Sequence, residues 1–321
     1  MKQVEHLLGY RESIKVMDAT LRDGGLVNDF YFTDDFVKAL YKTNLEAGVD
    51  YMEMGYRASK KVFDETKFGK WKFCSDDHIR EIVGENDTDL KLAIMADIGR
   101  HDKNDFDEKV NSPVDMVRVA AYIHQMPEAI DMIEDAHKKG YETTCNIMAI
   151  SQTRESDLKV ALDMLGKTPV DTIYIVDSFG SIYPEEMKRI VDIYMEAATK
   201  YGKQLGVHAH NNQQLAFANT IEACGDGVNW LDATYKGMGR GAGNCAMELL
   251  LGFLKNPKYN TYPVFRFISD YMVKLEEDGV VWGYDLQYLM TGQLNQHPRT
   301  AIKFTKDKRK DYAEFYKELI V

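Results

Sequence analysis

The sequence has no uninterrupted apolar run as long as the roughly 18 residues that a membrane-spanning helix needs. Basic residues are outnumbered, with 40 Lys and Arg against 51 Asp and Glu, and the formal charge of −11 argues against nucleic acid or an anionic membrane as a partner. No two cysteines have Cys-x-x-Cys spacing, which favours reduced thiols over a disulfide framework. These absences predict a cytoplasmic globular protein of enzyme size.

What the sequence does contain is an alternation of short apolar runs with amphipathic segments of helix length. The predicted strands span residues 14–20, 49–54, 90–96, 116–121, 143–150, 172–176, 205–210 and 230–234. The clearest predicted helices span residues 34–47, 126–139, 155–166, 184–201 and 213–224. Eight βα units within about 250 residues predict a TIM (β/α)8 barrel, and an open doubly wound sheet is the alternative. The third unit must draw its helix from the polar stretch HDKNDFDEKVNS.

The pattern changes near residue 256. We predict a barrel domain over residues 1–255 and a helical C-terminal extension over residues 256–321, packed on the barrel. The extension ends in a basic run, KFTKDKRKDYAEF, that is expected to be a solvated face. Its aromatic residues Trp282, Tyr284 and Tyr288 are expected in core packing, over the barrel mouth or in a subunit contact, and we expect a homo-oligomer, most simply a dimer.

Two histidines one residue apart, His208 and His210, lie in LGVHAHNN at the end of the seventh predicted strand. Because side chains alternate along a strand, both imidazoles point to the same face. The first strand leads into DATLRDGG, which places Arg22 and Asp23 at the barrel end where such folds hold their chemistry. Two imidazoles and a carboxylate suit a divalent ion. The second nitrogen of each ring needs a partner, and Asn211, Asn212 or a carboxylate could provide it.

The glycine-rich loop GMGRGAGN ends in Asn244 and follows the last predicted strand. Gly237, Gly239 and Ala242 have the spacing of a dinucleotide fingerprint, but no acidic residue follows about 20 positions later to hold a ribose. A tight turn that brings the backbone close to the site, with Asn244 as an extra oxygen ligand, is the preferred interpretation. A phosphorylated or CoA-linked substrate stays open, because barrels often bind phosphate here.

Taken together and in this order, DATLRDGG, GVHAHNN and GMGRGAGN resemble the motifs of the DRE-TIM metallolyase superfamily. That superfamily includes HMG-CoA lyases, isopropylmalate and homocitrate synthases and 4-hydroxy-2-oxovalerate aldolases, and the form GxGRGAGN is closest to the aldolases. The resemblance implies a TIM barrel in which Asp23, His208 and His210 bind a divalent metal, with Asn244 as a further ligand in some branches. Mn²⁺ or Mg²⁺ is the expected ion, and Co²⁺ or Zn²⁺ is the alternative.

The sequence also departs from each branch. The aldolases carry a catalytic histidine three residues after the metal aspartate, where this chain has Leu26. The CoA lyases place a cysteine inside the glycine-rich loop, whereas Cys245 follows it here. The synthases usually show Glu-Gln after the RDG triplet, where Gly25 and Leu26 stand. The general base therefore stays open among a metal-bound hydroxide, His101, Tyr284 and His297.

We therefore predict a metal-dependent aldolase or lyase that cleaves or forms a C–C bond next to a 2-oxo acid through an enolate. Arg22, beside Asp23, would donate charge-assisted hydrogen bonds to the enolate oxygen, so both are predicted catalytic residues. Strand-end polar residues are predicted to surround the ion or bind the substrate, which is expected to be a small 2-oxo acid: Arg22, Glu53, Asp97, Arg118, Asn146 and Asp177. The alternatives are an acetyl-CoA-dependent Claisen-type synthase and a catalytically idle barrel that binds a metabolite.

Overall fold

Eight parallel strands form a closed barrel in the order β1 to β8, with β1 paired to β8. The computed structural model describes residues 11, 13–102 and 105–321. The strands are β1 (Lys15–Asp18), β2 (Tyr51–Tyr56), β3 (Lys91–Asp97), β4 (Met116–Ala121), β5 (Glu142–Ile147), β6 (Thr172–Asp177), β7 (Gln204–Ala209) and β8 (Trp230–Ala233). The closure confirms the TIM barrel and excludes the open sheet. All eight predicted strands are present, shifted by a few residues at their ends.

The helices that cover the barrel follow the predicted pattern closely. They are α1 (Thr20–Gly24), α2 (Asp34–Ala47), α3 (Asp76–Val83), α4 (Met126–Lys138), α5 (Glu155–Gly166), α6 (Pro184–Tyr201), α7 (Ala216–Gly225) and α8 (Met247–Leu254). Helix α2 begins where the Thr33 hydroxyl accepts the Phe36 amide, and it ends at Gly48, whose φ of 73° is left-handed. Helix α7 begins three residues later than predicted, because Gln214 has a φ of 61° that a helix cannot contain.

The helix predicted for the third unit is wrong. In the described part of the stretch from residue 101 to 112, Lys109–Asn111 forms a single 3-10 turn and the rest is irregular; residues 103 and 104 lie outside the described residues. Phe106 and Val110 are its only apolar side chains, and Val110 is 90% exposed. An amphipathic helix needs an apolar stripe to bury, and this stretch has none.

The interior of the barrel divides into an apolar floor and a charged layer above it. The floor is made of Met17, Tyr51, Ala93, Met116, Tyr174, Val176 and Trp230, and it is separate from the larger core between strands and helices. Towards the carboxyl ends of the strands, the fully buried residues are charged: Glu53 on β2, Arg118 on β4 and Asp232 on β8. The architecture therefore directs buried charge to one mouth of the barrel.

The C-terminal residues form five helices and a π turn at Ile268–Met272. The helices are α9 (Thr261–Phe267), α10 (Val273–Glu277), α11 (Leu286–Gln293), α12 (Arg299–Lys306) and α13 (Tyr312–Ile320). Helix α9 packs on α2, with the Phe36 and Phe267 rings 5.1 Å apart. In the basic run, Lys303, Lys306 and Lys308 are exposed, as predicted.

The same run also contains two buried anchors, because the Phe304 and Phe315 rings stack at 4.5 Å. Division of the chain into domains at residue 256 stays a prediction. In the described residues, no helix has the length and apolar character needed to cross a membrane.

Candidate metal centre

Three buried side chains from the two ends of the chain meet at the barrel mouth. Asp23 lies in α1, directly after β1, while His208 lies in β7 and His210 follows that strand by one residue. The Nε2 atoms of both histidines lie 3.5 Å from Asp23 Oδ2, and the three donor atoms lie within 4.8 Å of one another. Ligands about 2.0–2.2 Å from one ion are about 3.0–3.5 Å apart in tetrahedral or octahedral geometry. The spacing suits a shared cation.

The other nitrogen of each imidazole is already used. His208 Nδ1 lies 3.0 Å from Asp232 Oδ2, and His210 Nδ1 lies 3.0 Å from the backbone oxygen of Asp177. Because a carboxylate and a carbonyl only accept, both Nδ1 atoms carry the hydrogen. Both Nε2 atoms are left with a lone pair, and neither has a hydrogen-bond partner among the described residues although each is buried. Buried acceptors without a partner that converge on a carboxylate are what a metal site presents.

Asn211 and Asn212 do not orient the histidines. Asn211 Oδ1 accepts the Ala216 amide at the start of α7, and Asn212 links the Phe179 carbonyl to the Ala242 amide. For His208, a carboxylate fills this role instead, and that carboxylate belongs to Asp232. This residue was missed in the sequence, where a lone acidic residue inside the buried strand WLDA was the available signal.

The protonation states of the donors favour metal binding. Burial acts to raise the pKa of Asp23, but Arg22 together with His208 and His210 outweighs it and holds this pKa well below its usual range. Burial lowers the pKa of His210 to about 4, so this imidazole is neutral at neutral pH. Burial also acts to lower the pKa of His208, but the nearby carboxylates of Asp23 and Asp232 outweigh it and leave this pKa raised. A cation would therefore displace at most the proton of His208.

A buried chain of ion pairs joins Asp23 to His208 beneath the site. Arg22 Nη1 donates to Asp23, and Arg22 Nε donates to Glu53 Oε2 at 2.8 Å. Arg118 then joins that Glu53 oxygen at 2.9 Å to Asp232 at 2.7 Å, and Asp232 faces His208. Two guanidinium groups thus face three carboxylates, so this network of ion pairs has one excess negative charge. That excess favours a cation between the donors.

The glycine-rich loop closes over the same point. The Arg240 amide donates to Asp23 Oδ1 at 3.1 Å, and a Cβ on Gly239 would lie 2.6 Å from that oxygen and 2.1 Å from Asn244 Nδ2. Only glycine therefore lets the backbone approach so closely. Asn244 pairs with His210 in an isolated bridge, and its Oδ1 is buried without a partner. This oxygen suits a fourth ligand, as the sequence predicts.

A cavity of about 60 Å³ opens above these groups. One water needs on the order of 10–15 Å³, so the space takes about four to six water-sized groups and opens to solvent beyond them. Six predicted site residues line it: Arg22, Asp23, Asp97, Asn146, His208 and His210. Glu53 and Arg118 are fully buried below it, and Asp177 accepts the Ser181 and Ile182 amides instead of facing the space.

The side chains proposed in the sequence as general bases do not line the cavity. His101 faces a separate groove beside α4, and Tyr284 is 56% exposed behind the glycine-rich loop. His297 packs against Phe179 and Arg240. Leu26 does line the cavity, so the space that a histidine would fill is apolar here. Sequence reasoning missed three polar lining residues: Tyr56, Ser178 and Arg240.

Comparison with known proteins gives one consistent result. The model of the family described as HMGL-like matches residues 13–266. An oxaloacetate decarboxylase from Mycobacterium tuberculosis is 29% identical over 248 residues, covering 77% of this chain and 71% of the relative. A 4-hydroxy-2-oxovalerate aldolase from Thermus thermophilus is 29% identical over 247 residues, covering 76% and 70%. The crystal structure of the N-terminal domain of a candidate aldolase from Bacteroides vulgatus has a TM-score of 0.77 at 30% identity, covering 91% and 97%.

Proposed function

The chain belongs to the HMGL-like family, and we propose that it is a divalent-metal-dependent carbon–carbon lyase of the aldolase type that acts on a small 2-oxo acid. The observation that carries this proposal is the convergence of two unpartnered imidazole lone pairs on the Asp23 carboxylate, in side chains that line a small cavity. The names of two relatives fit it, because oxaloacetate and 4-hydroxy-2-oxovalerate are both 2-oxo acids.

The donor set supports a borderline or hard divalent ion. One carboxylate, two imidazoles and the amide oxygen of Asn244 suit Mn²⁺ or Mg²⁺, with Co²⁺ or Zn²⁺ as alternatives. A divalent cation bound there supplies a Lewis acid for the negative charge that develops on the 2-oxo oxygen. The protein holds its donors ready through Asp232 and the Asp177 carbonyl, which fix both rings with Nε2 towards Asp23.

Cleavage of a 4-hydroxy-2-oxo acid breaks the C3–C4 bond and leaves the electron pair on C3 as the enolate of pyruvate. The proton of the 4-hydroxyl passes to a base, an aldehyde or ketone leaves, and C3 takes up a proton to give pyruvate. Arg22 lines the cavity, and no described residue accepts a hydrogen bond from its third nitrogen, Nη2. We assign Arg22 to the developing oxyanion, where a fixed guanidinium needs no reorganisation. Glu53 and Arg118 act as positioning residues for it.

Asp97 is the carboxylate on the cavity wall that we assign as the base. It ends β3, is 9% exposed and has Arg100 Nη1 at 3.4 Å. Burial raises its pKa, although Arg100 and Lys72 oppose the shift. A carboxylate with a raised pKa is a better proton acceptor than an ordinary one. Tyr56 also lines the cavity, but it is a poor candidate for the base because burial raises the pKa of its phenol further above neutrality.

Asp97→Asn is therefore expected to lower kcat for cleavage by about 10²–10⁴-fold while Mn²⁺ affinity stays within a few fold. In the wild type, we expect kcat/KM to rise with pH as Asp97 loses its proton, with this acid limb shifted to higher pH than for an ordinary aspartate, because burial raises the pKa of Asp97. The limb should disappear in the variant at saturating Mn²⁺. A variant that keeps both the rate and the limb would remove Asp97 from the mechanism. Asp102→Asn, at a partly exposed carboxylate outside the cavity lining, is the matched control.

Exchange of solvent deuterium into the methyl group of pyruvate tests the proposed function directly. We expect exchange that requires Mn²⁺, stops on chelation and accompanies pyruvate release from 4-hydroxy-2-oxo acids. Free thiol released from acetyl-CoA with a 2-oxo acid, in place of pyruvate release, would instead identify a Claisen-type synthase. No exchange with any 2-oxo acid and any of the four metals would favour the idle barrel.

A further inference from the structure

Arg240 is a cation at the cavity wall with no counter-ion in the part of the chain that the structure describes. It lines the same space as Arg22 and lies in GMGRGAGN, between the end of β8 and α8. The buried guanidinium groups of Arg22 and Arg118 each contact two carboxylates. Among the described residues, none places a carboxylate within 4.0 Å of the Arg240 side chain.

The hydrogen bonds of Arg240 are also incomplete. Nη2 donates to the Ser178 carbonyl at 2.9 Å, whereas Nε is buried without a partner. Nη1 lies 3.4 Å from His297 Nε2. Burial lowers the pKa of His297 to about 3, so the ring is neutral, and its Nδ1 accepts the Arg299 amide at 3.1 Å. The ring hydrogen is then on Nε2, so this contact offers Arg240 no acceptor.

The position of Arg240 is fixed although its charge is unpaired. Its backbone amide is held by Asp23 Oδ1 and its Nη2 by the Ser178 carbonyl. A guanidinium held in place with unused donors is preorganised for a planar, bidentate anion such as a carboxylate. Arg22 cannot take this role, because Asp23 and Glu53 already occupy two of its nitrogens.

We propose that the unpaired guanidinium of Arg240, set on the cavity wall beside the Asp23–His208–His210 centre, selects 2-oxo acids that carry a second carboxylate. This inference rests on the proposed function and narrows its substrate class. The second carboxylate accepts hydrogen bonds from one edge of the Arg240 guanidinium, while the 2-oxo end of the substrate lies at the Asp23, His208 and His210 side chains and Arg22. A neutral tail would leave the same guanidinium donors without an acceptor.

Calorimetry on the Mn²⁺-loaded chain tests the proposal with a matched pair of ligands. The pair is 2-oxoglutarate and 2-oxo-5-methylhexanoate, in which an isopropyl group replaces the distal carboxylate at similar shape. We expect the wild type to bind 2-oxoglutarate about 10- to 100-fold more tightly, the range for hydrogen bonds to a charged group. Arg240→Met should bring the ratio close to one, and Arg240→Lys should retain part of it. Arg299→Met removes an exposed cation nearby and should keep the wild-type ratio.

A wild-type ratio near one would overturn the inference. Equal losses for both ligands in Arg240→Met would overturn it too, because Arg240 would then serve the carboxylate that they share or the shape of the Asp23 site. Mn²⁺ affinity of each variant, measured separately, shows whether the donors are intact. Pyruvate release from 4-hydroxy-2-oxoglutarate and 4-hydroxy-2-oxovalerate separates the two proposals. Cleavage without preference contradicts only the inference, and preferential binding without any cleavage contradicts only the proposed function.

Discussion

Asp23→Asn is expected to weaken Mn²⁺ binding by more than about 100-fold and to abolish deuterium exchange into pyruvate. Removing a residue that merely orients a ligand typically costs 10- to 100-fold, and we expect a larger loss here because Asp23 is a proposed ligand itself. Its carboxylate is also the shared neighbour of both Nε2 atoms, at 3.5 Å from each. A neutral amide removes the negative charge that holds the site together.

Equilibrium dialysis with Mn²⁺, followed by the exchange assay, measures this effect. Asp270→Asn, on the exposed surface, is the matched control and should bind Mn²⁺ as the wild type does. The folded state of Asp23→Asn is checked by its thermal transition, since Arg22 keeps Glu53 as a partner. Mn²⁺ affinity within threefold of the wild type would show that the cation, if bound, is held elsewhere.

The largest effect on stability is expected from Arg118→Met. Arg118 is fully buried, bridges Glu53 and Asp232, and lies with its guanidinium carbon 4.5 Å from the centre of the Tyr174 ring. Its loss leaves two carboxylates buried with less compensation, and breaking a buried ion pair from one side costs about 3–5 kcal/mol. The free energy of unfolding, measured by urea titration, should fall by that amount.

Two further variants show whether the cause is the unpaired charge. Glu53→Gln with Arg118→Met and Asp232→Asn removes all three charges, and we expect it to recover part of the lost stability, because whole networks are often replaceable. Arg309→Met breaks an exposed pair of contacts with Asp311 and Glu318 and should cost far less. A loss below about 1 kcal/mol in Arg118→Met would contradict a structural role for the network.

The fold was predictable because its signal is periodic. Buried strands such as Met116–Ala121 and helices such as Pro184–Tyr201 follow from local apolar pattern, and their bounds agree with the prediction. The helix predicted within residues 101 to 112 was wrong because this stretch is rich in charged residues and has no periodic apolar face. Strand closure followed only from counting eight units, because pairing of β1 with β8 joins residues more than 200 positions apart.

The site was predictable only where residue types are unusual for their place. A His-x-His pair and an Arg-Asp pair at strand ends identify Arg22, Asp23, His208 and His210 as candidates. Asp232 and Arg240 carry no such mark, because their roles come from contacts with residues far along the chain. Glu53 and Arg118 were expected near the substrate, but they lie one layer deeper, where they satisfy each other's charge. How far below the cavity a strand-end side chain lies depends on the geometry of the barrel, and spacing in the sequence does not give it.

The seam between first and last strands has a consequence for how the protein matures. The proposed ligand Asp23 lies in the segment that follows β1, and the proposed ligands His208 and His210 lie at the end of β7. Strand β8 lies between those two strands. If these groups bind an ion as proposed, a nascent chain that has not yet been synthesised through β8 would lack the geometry of the site. Binding of the cation would then link the two sides of the β1–β8 junction, and it would require a closed barrel.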